Sequence, residues 1–424
     1  MIKNILHTLF AKMITSIIGL LTIVLVSQYL GAIGKGEQSI FLFNTVLLLL
    51  IATLVGNTTL IYLTPRHKFS DIFFPSFWWT IASLGTLFIA FYLLDIPIIT
   101  YPKQLFLITL MAALSETNTN ILIGKERIKE SNILKLISPT ASILYIIILI
   151  LLNQFSSVSH YINSLLIGYF LSLGYGIFLL RDEYKGLQLG KMFDLNMFKT
   201  LFSLGFIKQL GNLSQQLNAR MSFYLIALYS TNEALGVFSN GISLTESTLL
   251  FSSSLALVQY SRLSNCKDET YSKSITLLLT KANILLSALA LVVLSLLPES
   301  FYTLTFGAEF SQVKQIIQLL FLGVLLLNAT TTFTQYFASK GNFHIATIAS
   351  TIGLIPTIVL GILLIPRYGI TGAAISTTLS YTIIFLIEYY YFRRFSNTKF
   401  KDLLPQKQDF TYIKTLVKTF KNPS

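Results

Sequence analysis

Twelve long apolar runs, parted by short gaps whose positive charge falls on alternate sides, fill this 424-residue chain from Met13 to Phe392. They cover residues 13–30, 40–63, 73–94, 105–123, 133–152, 161–180, 198–229, 234–260, 277–297, 313–337, 345–365 and 372–392. Crossing a hydrocarbon core of about 30 Å takes roughly 17–25 helical residues, and every run is long enough. Lipid offers the backbone no hydrogen-bond partner, so each run is expected to be a helix. Composition agrees, since 53% of the residues are apolar and only 12% charged, too few charges for a soluble domain of this size.

The net charge is +13, from 31 Lys+Arg against 18 Asp+Glu. In a soluble chain that surplus would point to nucleic acid. Here its placement explains it, and no nucleic-acid partner is expected. With the N-terminus inside, inner segments hold 25 cations and outer gaps four, namely Lys35, Lys103, Lys314 and Arg367; Lys208 and Arg220 lie within the seventh run. That asymmetry puts both termini in the cytoplasm. The first run ends at Gln28-Tyr29-Leu30-Gly31 without a signal-cleavage pattern, so it is expected to be retained. One cysteine, Cys266, and four scattered histidines, His7, His67, His160 and His344, make no metal set, and no metal or cofactor is expected.

The gap at 183–197 divides the runs into six and six, both halves starting on the same face. The expected fold is an all-α integral membrane protein with 12 transmembrane helices in two six-helix lobes around a central cavity. An N-terminal lobe would span 1–182, a cytoplasmic linker 183–197 and a C-terminal lobe 198–393. A basic tail would follow over 394–424, where Tyr412, Ile413, Leu416, Val417 and Phe420 recur at helical spacing and read as an amphipathic helix on the inner leaflet. Halves of equal topology imply a parallel repeat.

Polar residues inside the runs are the functional candidates, because lipid forbids them unless they meet a partner or water. Lys208, Gln209, Asn212, Gln215, Gln216 and Arg220 recur at three- and four-residue spacing along one face of helix seven. Arg220 falls about 13 Å below the outer turn, near the midplane. Glu246 sits at similar depth on helix eight, among Asn240, Ser243, Thr245, Ser247 and Thr248, and can neutralise it. Glu116 on helix four is also near midspan, followed by Asn118 and Asn120, and helix ten carries Asn328 to Gln335. Together these faces suggest a hydrophilic cavity, cationic on the second-half side, for a large polar substrate bearing phosphate. Arginine grips phosphate as a bidentate fork. Arg220, Gln216, Asn212 and Lys208 are taken as substrate-binding, Glu246 and Glu116 as ion-coupling or charge partners.

Several motifs resemble the polysaccharide transporters of the multidrug/oligosaccharidyl-lipid/polysaccharide exporter superfamily, which include O-antigen and capsule repeat-unit flippases. Residues Gln335-Tyr336-Phe337-Ala338-Ser339-Lys340-Gly341-Asn342 look like the family's loop after helix ten. Ile365-Pro366-Arg367-Tyr368-Gly369-Ile370-Thr371-Gly372-Ala373-Ala374 matches its turn between helices eleven and twelve. Phe306-Gly307-Ala308-Glu309-Phe310 and Leu235-Gly236-Val237-Phe238-Ser239 are similar to its "FG" and "LG" elements. Two departures stand out. Gln28 replaces the usual arginine before the first "LG", and Met221-Ser222-Phe223 follow Arg220 where an aspartate is usual, so Glu246 is taken as its substitute. These motifs also have a structural reading: Pro366 ends helix eleven, and Gly369 and Gly372 permit a tight turn.

The resemblance implies a flippase, not an enzyme, of the bacterial cytoplasmic (inner) membrane. It would translocate undecaprenyl-pyrophosphate-linked oligosaccharide repeat units by alternating access, for O-antigen or capsule-type polysaccharide. Implied partners are that lipid-linked oligosaccharide, the bilayer, and a polysaccharide polymerase with chain-length machinery. A multidrug exporter of the same superfamily also has twelve spans and stays open as an alternative. A lipid II flippase usually has fourteen. A membrane-embedded polymerase would need a larger external region than the gap near 298–312 provides.

Overall fold

The computed structural model of the chain describes the backbone of residues 2–94, 99–187, 194–264, 266 and 268–403. Among these, every regular element is a helix. In order they are α1 (Ile2–Ala52), α2 (Asn57–Leu63), α3 (Phe69–Leu94), α4 (Pro102–Gly124), α5 (Ile128–Leu151), α6 (Val158–Leu179) and α7 (Arg181–Lys185). Then come α8 (Leu195–Tyr229), α9 (Asn232–Glu246), α10 (Leu249–Ser264), α11 (Glu269–Leu296), α12 (Glu299–Phe306), α13 (Val313–Ser339) and α14 (His344–Ser396). The helix expected around Tyr412 lies outside the described residues.

Among the described residues, eight helical stretches are long and apolar enough to cross a membrane, two of them spanning 54 residues (Phe10–Leu63, which runs on through α2) and 53 residues (His344–Ser396). A single crossing needs about 20 residues, so each of these two has length for a pair. Each bends back at one glycine, α1 at Gly31 (φ 67°, ψ −173°) and α14 at Gly369 (φ 54°, ψ −133°). Loops expected between runs one and two, and eleven and twelve, are therefore single-residue hinges. Pro366, expected to end helix eleven, sits inside α14 instead. A proline removes one hydrogen bond, whereas Gly369 takes a positive φ through which the helix cannot continue.

Run seven is one helix, α8, but run eight is not. It is divided between α9 and α10, where Ser247 Oγ turns back to the Leu244 carbonyl at 2.6 Å and Thr248 Oγ1 to that of Thr245 at 2.7 Å. Local hydroxyls thus take over from the helical ladder at the break.

Contacts group the chain into two compact units, the first of Met1–Asn240 with Glu299–Gln312, the second of Gly241–Pro298 with Val313 onward. Within the first, α8 packs on α1, α2 and α3.

In the first unit three of the motifs meet at the Gly31 hinge. Phe306 and Phe310 are buried, and between them Glu309 accepts the Ala32 amide on Oε2 at 2.5 Å. A carboxylate at a restarting helix complements its dipole. Gly236 packs on the same point, since a Cβ there would stand 1.9 Å from the Ala32 carbonyl oxygen. These motif residues thus hold helices together at the Gly31 hinge. Nearer the other end, the Tyr184 hydroxyl donates to Asn118 Oδ1 at 2.7 Å, and burial pushes its phenol up to about 12, which keeps it a donor.

In the second unit a polar seam joins α10, α11 and α13. Asn283 Nδ2 donates to the Asn328 carbonyl at 2.7 Å, and Asn328 Nδ2 to Thr248 Oγ1 at 2.9 Å. Ser252 Oγ bonds Asn283 Oδ1 at 2.6 Å and also Asn328, while Gln259 Nε2 reaches Thr276 and the Thr332 carbonyl. Ser252, Gln259, Asn283, Asn328 and Thr332 are wholly buried. The sequence reading set Asn328 and Thr332 on a wet face; they are interhelical glue, because inside the unit they satisfy one another. The same correction applies to Asn240, which is buried and bonded to Ser27 at 2.8 Å, and to Thr245, which bonds back to its own helix.

Candidate functional site: a polar cavity at a broken helix

The interruption between α1 and α2 creates the site. A helix that stops leaves its last carbonyls short of helical amide partners, and here side chains bond four of them, beside the turn amides of Thr53 and Leu54 that reach Leu49 and Ile51. The Leu49 carbonyl accepts from Thr53 Oγ1 at 2.7 Å and that of Leu50 from Gln209 Nε2 at 2.9 Å. The Ile51 carbonyl accepts from Trp79 Nε1 at 2.8 Å and that of Ala52 from Thr80 Oγ1 at 3.0 Å. Gln209 can reach the break because residue 205 is glycine. A Cβ there would lie 2.0 Å from the Leu54 carbonyl oxygen.

Beside the break lies a cavity of about 350 Å³. Its polar lining is Thr53 and Asn57 at the break, Glu116 from α4, and Asn212, Gln215 and Gln216 from α8; Val46, Leu49 and Leu50 complete it. Glu116, singled out by its depth, and Asn212, Gln215 and Gln216, singled out by their spacing, therefore share one space. Asn212 Nδ2 donates to Gln209 Oε1 at 2.7 Å, which ties the cavity wall to the capped helix end. Glu116 and Lys135 of α5 act on each other electrostatically.

Arg220 stands one turn beyond Gln216 on α8, a neighbouring position on the same face. Its guanidinium lies 5.3 Å from the Phe223 ring centre, and it donates to the Ala219 carbonyl at 3.2 Å. Its charge also acts on Lys35. Lys35, expected in an outer loop, is only 3% exposed, with Nζ donating to Gln38 Oε1 at 2.6 Å, and Gln38 bonds Tyr161. Lys208 precedes Asn212 by one turn on the same helix; its side chain lies outside the described residues. Glu246 ends α9 in the second unit, its Oε1 accepting from the Tyr381 hydroxyl at 3.0 Å.

Lys35 and Glu388 are buried charged residues that the sequence does not single out. Lys35 carried little signal, since Gly34 and Gly36 flank it and read as a turn, and only the three-residue spacing to Gln38 hints at a shared helical face. Glu388 lies on α14, where its neighbours Tyr389, Tyr390 and Tyr391 make the stretch read as an interface.

No protein-family model matches the chain. Among curated proteins it is similar to the capsular polysaccharide biosynthesis protein CapF of Staphylococcus aureus, 26% identical over 270 residues that make 61% of this chain and 67% of that one. It is also similar to the probable low-salt glycan biosynthesis flippase Agl15 of Haloferax volcanii, 20% identical over 206 residues, 48% of this chain and 44% of that one. The matched stretch thus spans about two thirds of the first relative and under half of the second. In structure it resembles the lipid II flippase MurJ in an inward closed conformation, with a TM-score of 0.75, 18% identity, and coverage of 98% of this chain and 93% of that one. An inward-facing multidrug resistance MATE family transporter of the MOP superfamily gives a TM-score of 0.72, 12% identity, and coverage of 90% and 94%.

The chain is a multi-pass membrane protein with the helical transporter fold shared by MurJ and the MATE transporters. The motif resemblance to polysaccharide transporters is met by relatives named for capsular polysaccharide and glycan biosynthesis. MurJ, set apart in the sequence on helix count, matches nearly the whole chain in fold.

Proposed function

We propose that this protein flips an undecaprenyl-pyrophosphate-linked oligosaccharide across a bacterial cytoplasmic membrane, with both termini inside, as a step in surface polysaccharide synthesis. The observation that carries the reading is the polar cavity at the broken helix, with Arg220 one helical turn beyond its lining residue Gln216 on α8. Amides of Asn57, Asn212, Gln215 and Gln216 and the Glu116 carboxylate are donors and acceptors of the kind that match sugar hydroxyls. Arg220, half-buried on α8, and the buried Lys35 act on each other electrostatically, and a phosphate is the kind of anion a guanidinium grips as a fork. A phosphorylated glycan supplies both chemistries. The prenyl tail stays in lipid, since moving it through water would forfeit about 0.8 kcal/mol per CH₂.

Transport would proceed by alternating access of two six-helix lobes around a central cavity, with Arg220 and Glu246 neutralising each other in the empty state. A ligand drives such a change only by its different affinity for the two states. A drug-type exporter shares the fold, and the test separates the two. In a strain lacking the gene, wild type should restore surface polymer and leave drug tolerance unaltered. Restored drug tolerance without polymer would replace this reading with the exporter.

A further inference from the structure

α14 carries an acid that the cavity does not use. Glu388 is 2% exposed, at the end of the second unit where Phe333, Phe337, Phe385 and Phe392 form an apolar core. Its two carboxylate oxygens lie 3.1 and 2.9 Å from one hydroxyl, Thr334 Oγ1 of α13, and that hydroxyl lies 3.2 Å from the Thr330 carbonyl. One hydroxyl has one proton to give. A bare carboxylate would keep an unmet oxygen and a full charge in apolar surroundings, which costs far more than a single hydrogen bond returns. With a proton on Glu388 the same three groups form a complete chain. The carboxyl O–H donates to Thr334 Oγ1, and the Thr334 O–H donates to the Thr330 carbonyl.

The charged groups of the surrounding elements are engaged elsewhere. Lys340 bonds Glu269 at 2.7 Å, Lys273 donates to the Asn397 carbonyl at 3.1 Å, and Tyr336 hydrogen-bonds Glu269. Arg262 of α10, Lys281 of α11, and Arg393 and Asp402 beyond the core have no bond to the Glu388 carboxylate, whose partner among the described residues is Thr334. An alkali cation would look for about six oxygens, in the manner of other hard cations, and this corner offers far fewer.

We propose that Glu388 and Thr334 form a proton-binding site, and that the second unit takes up and gives back a proton there during each transport cycle. The proton arrives from water onto a carboxylate oxygen and leaves the same way. The proton-free acid favours a state in which water reaches it and the protonated acid favours the closed core, so proton binding biases the conformational equilibrium. The role in transport rests on the flippase reading above; the binding of a proton does not.

Infrared difference spectra of the full-length protein in lipid vesicles, taken across a pH titration, test this. Wild type should show the carbonyl stretch of a protonated carboxyl that changes with pH, and Glu388→Gln should lose it. Thr334→Val should keep the band at a shifted frequency, and this arm stands even if the glutamine variant accumulates poorly. In cells, Glu388→Gln at normal abundance should lose polymer export. A spectrum unchanged by Glu388→Gln overturns the site. So does a band indifferent to pH together with normal export by Glu388→Gln, which would make the acid a fixed structural donor. A change that follows sodium instead of pH overturns it in favour of a metal-cation site. If wild type exports no polymer the flippase reading fails, while the spectral result still decides the proton site.

Discussion

Arg220 and Lys35 are the residues on which the substrate reading can be broken. A guanidinium fork holds two phosphate oxygens, and an ammonium cannot copy it. Arg220→Lys should therefore fail in export almost as badly as Arg220→Ala, scored as surface polymer per amount of membrane protein. Normal polymer with Arg220→Ala at normal abundance would remove Arg220 from the site. If Arg220 and Glu246 are only a structural pair, each single neutralisation should lower abundance and the double Arg220→Ala/Glu246→Ala should recover it. Lys35→Met gives a second readout. Replacing this buried amine by an apolar side chain should raise the melting temperature of the empty protein while export is lost, the pattern expected where function is held at the expense of stability. A melting temperature that falls together with export would make Lys35 structural.

At the scale of elements, the break between α1 and α2 is what the fold defends. Gln209→Leu leaves the Leu50 carbonyl without its side-chain donor and should cost about 1–3 kcal/mol, read from thermal unfolding in detergent. Gly205→Ala forces a methyl onto the Leu54 carbonyl and should cost a similar amount by overpacking, about 1–3 kcal/mol. Glu309→Gln weakens the carboxylate at the Gly31 hinge and should cost less, about 0.3–1 kcal/mol. Should Gln209→Leu and Glu309→Gln prove equal in effect, the break has no special need of its cap.

These elements also mark how far the sequence could be read. The apolar runs announce themselves because lipid demands about 20 apolar residues whatever the tertiary packing. The polar face of α8 was visible from its spacing, and Asn212 and Gln216 do meet Glu116 in one cavity. Spacing could not tell Gln209, which caps a neighbouring helix, from Gln216, which lines the cavity, since both occupy the same face and only the partner differs. Nor could it show that Asn328 and Thr332 are spent on α10 and α11, because the pairing joins segments far apart in the chain. Lys35 was misplaced because a charged gap between apolar runs reads as a loop, whereas Gly31 lets the helix restart at once.

For the whole molecule, topology and transport are the proposals at stake. On a background lacking Cys266, single cysteines near Phe155 and Ala308 should react with an impermeant thiol reagent in intact cells, and one near Lys185 should not. Labelling near Lys185 would overturn the inward termini and the six-plus-six arrangement. The central claim is that a lipid-linked glycan crosses the bilayer through this chain. Its most direct test is the purified protein in sealed vesicles loaded with a polyprenyl-pyrophosphate oligosaccharide, probed with an impermeant glycosidase. Wild type should bring the inner-leaflet glycan within reach of the enzyme while Arg220→Ala vesicles stay like protein-free ones. Protection of that inner pool in wild-type vesicles, equal to that without protein, would contradict the account.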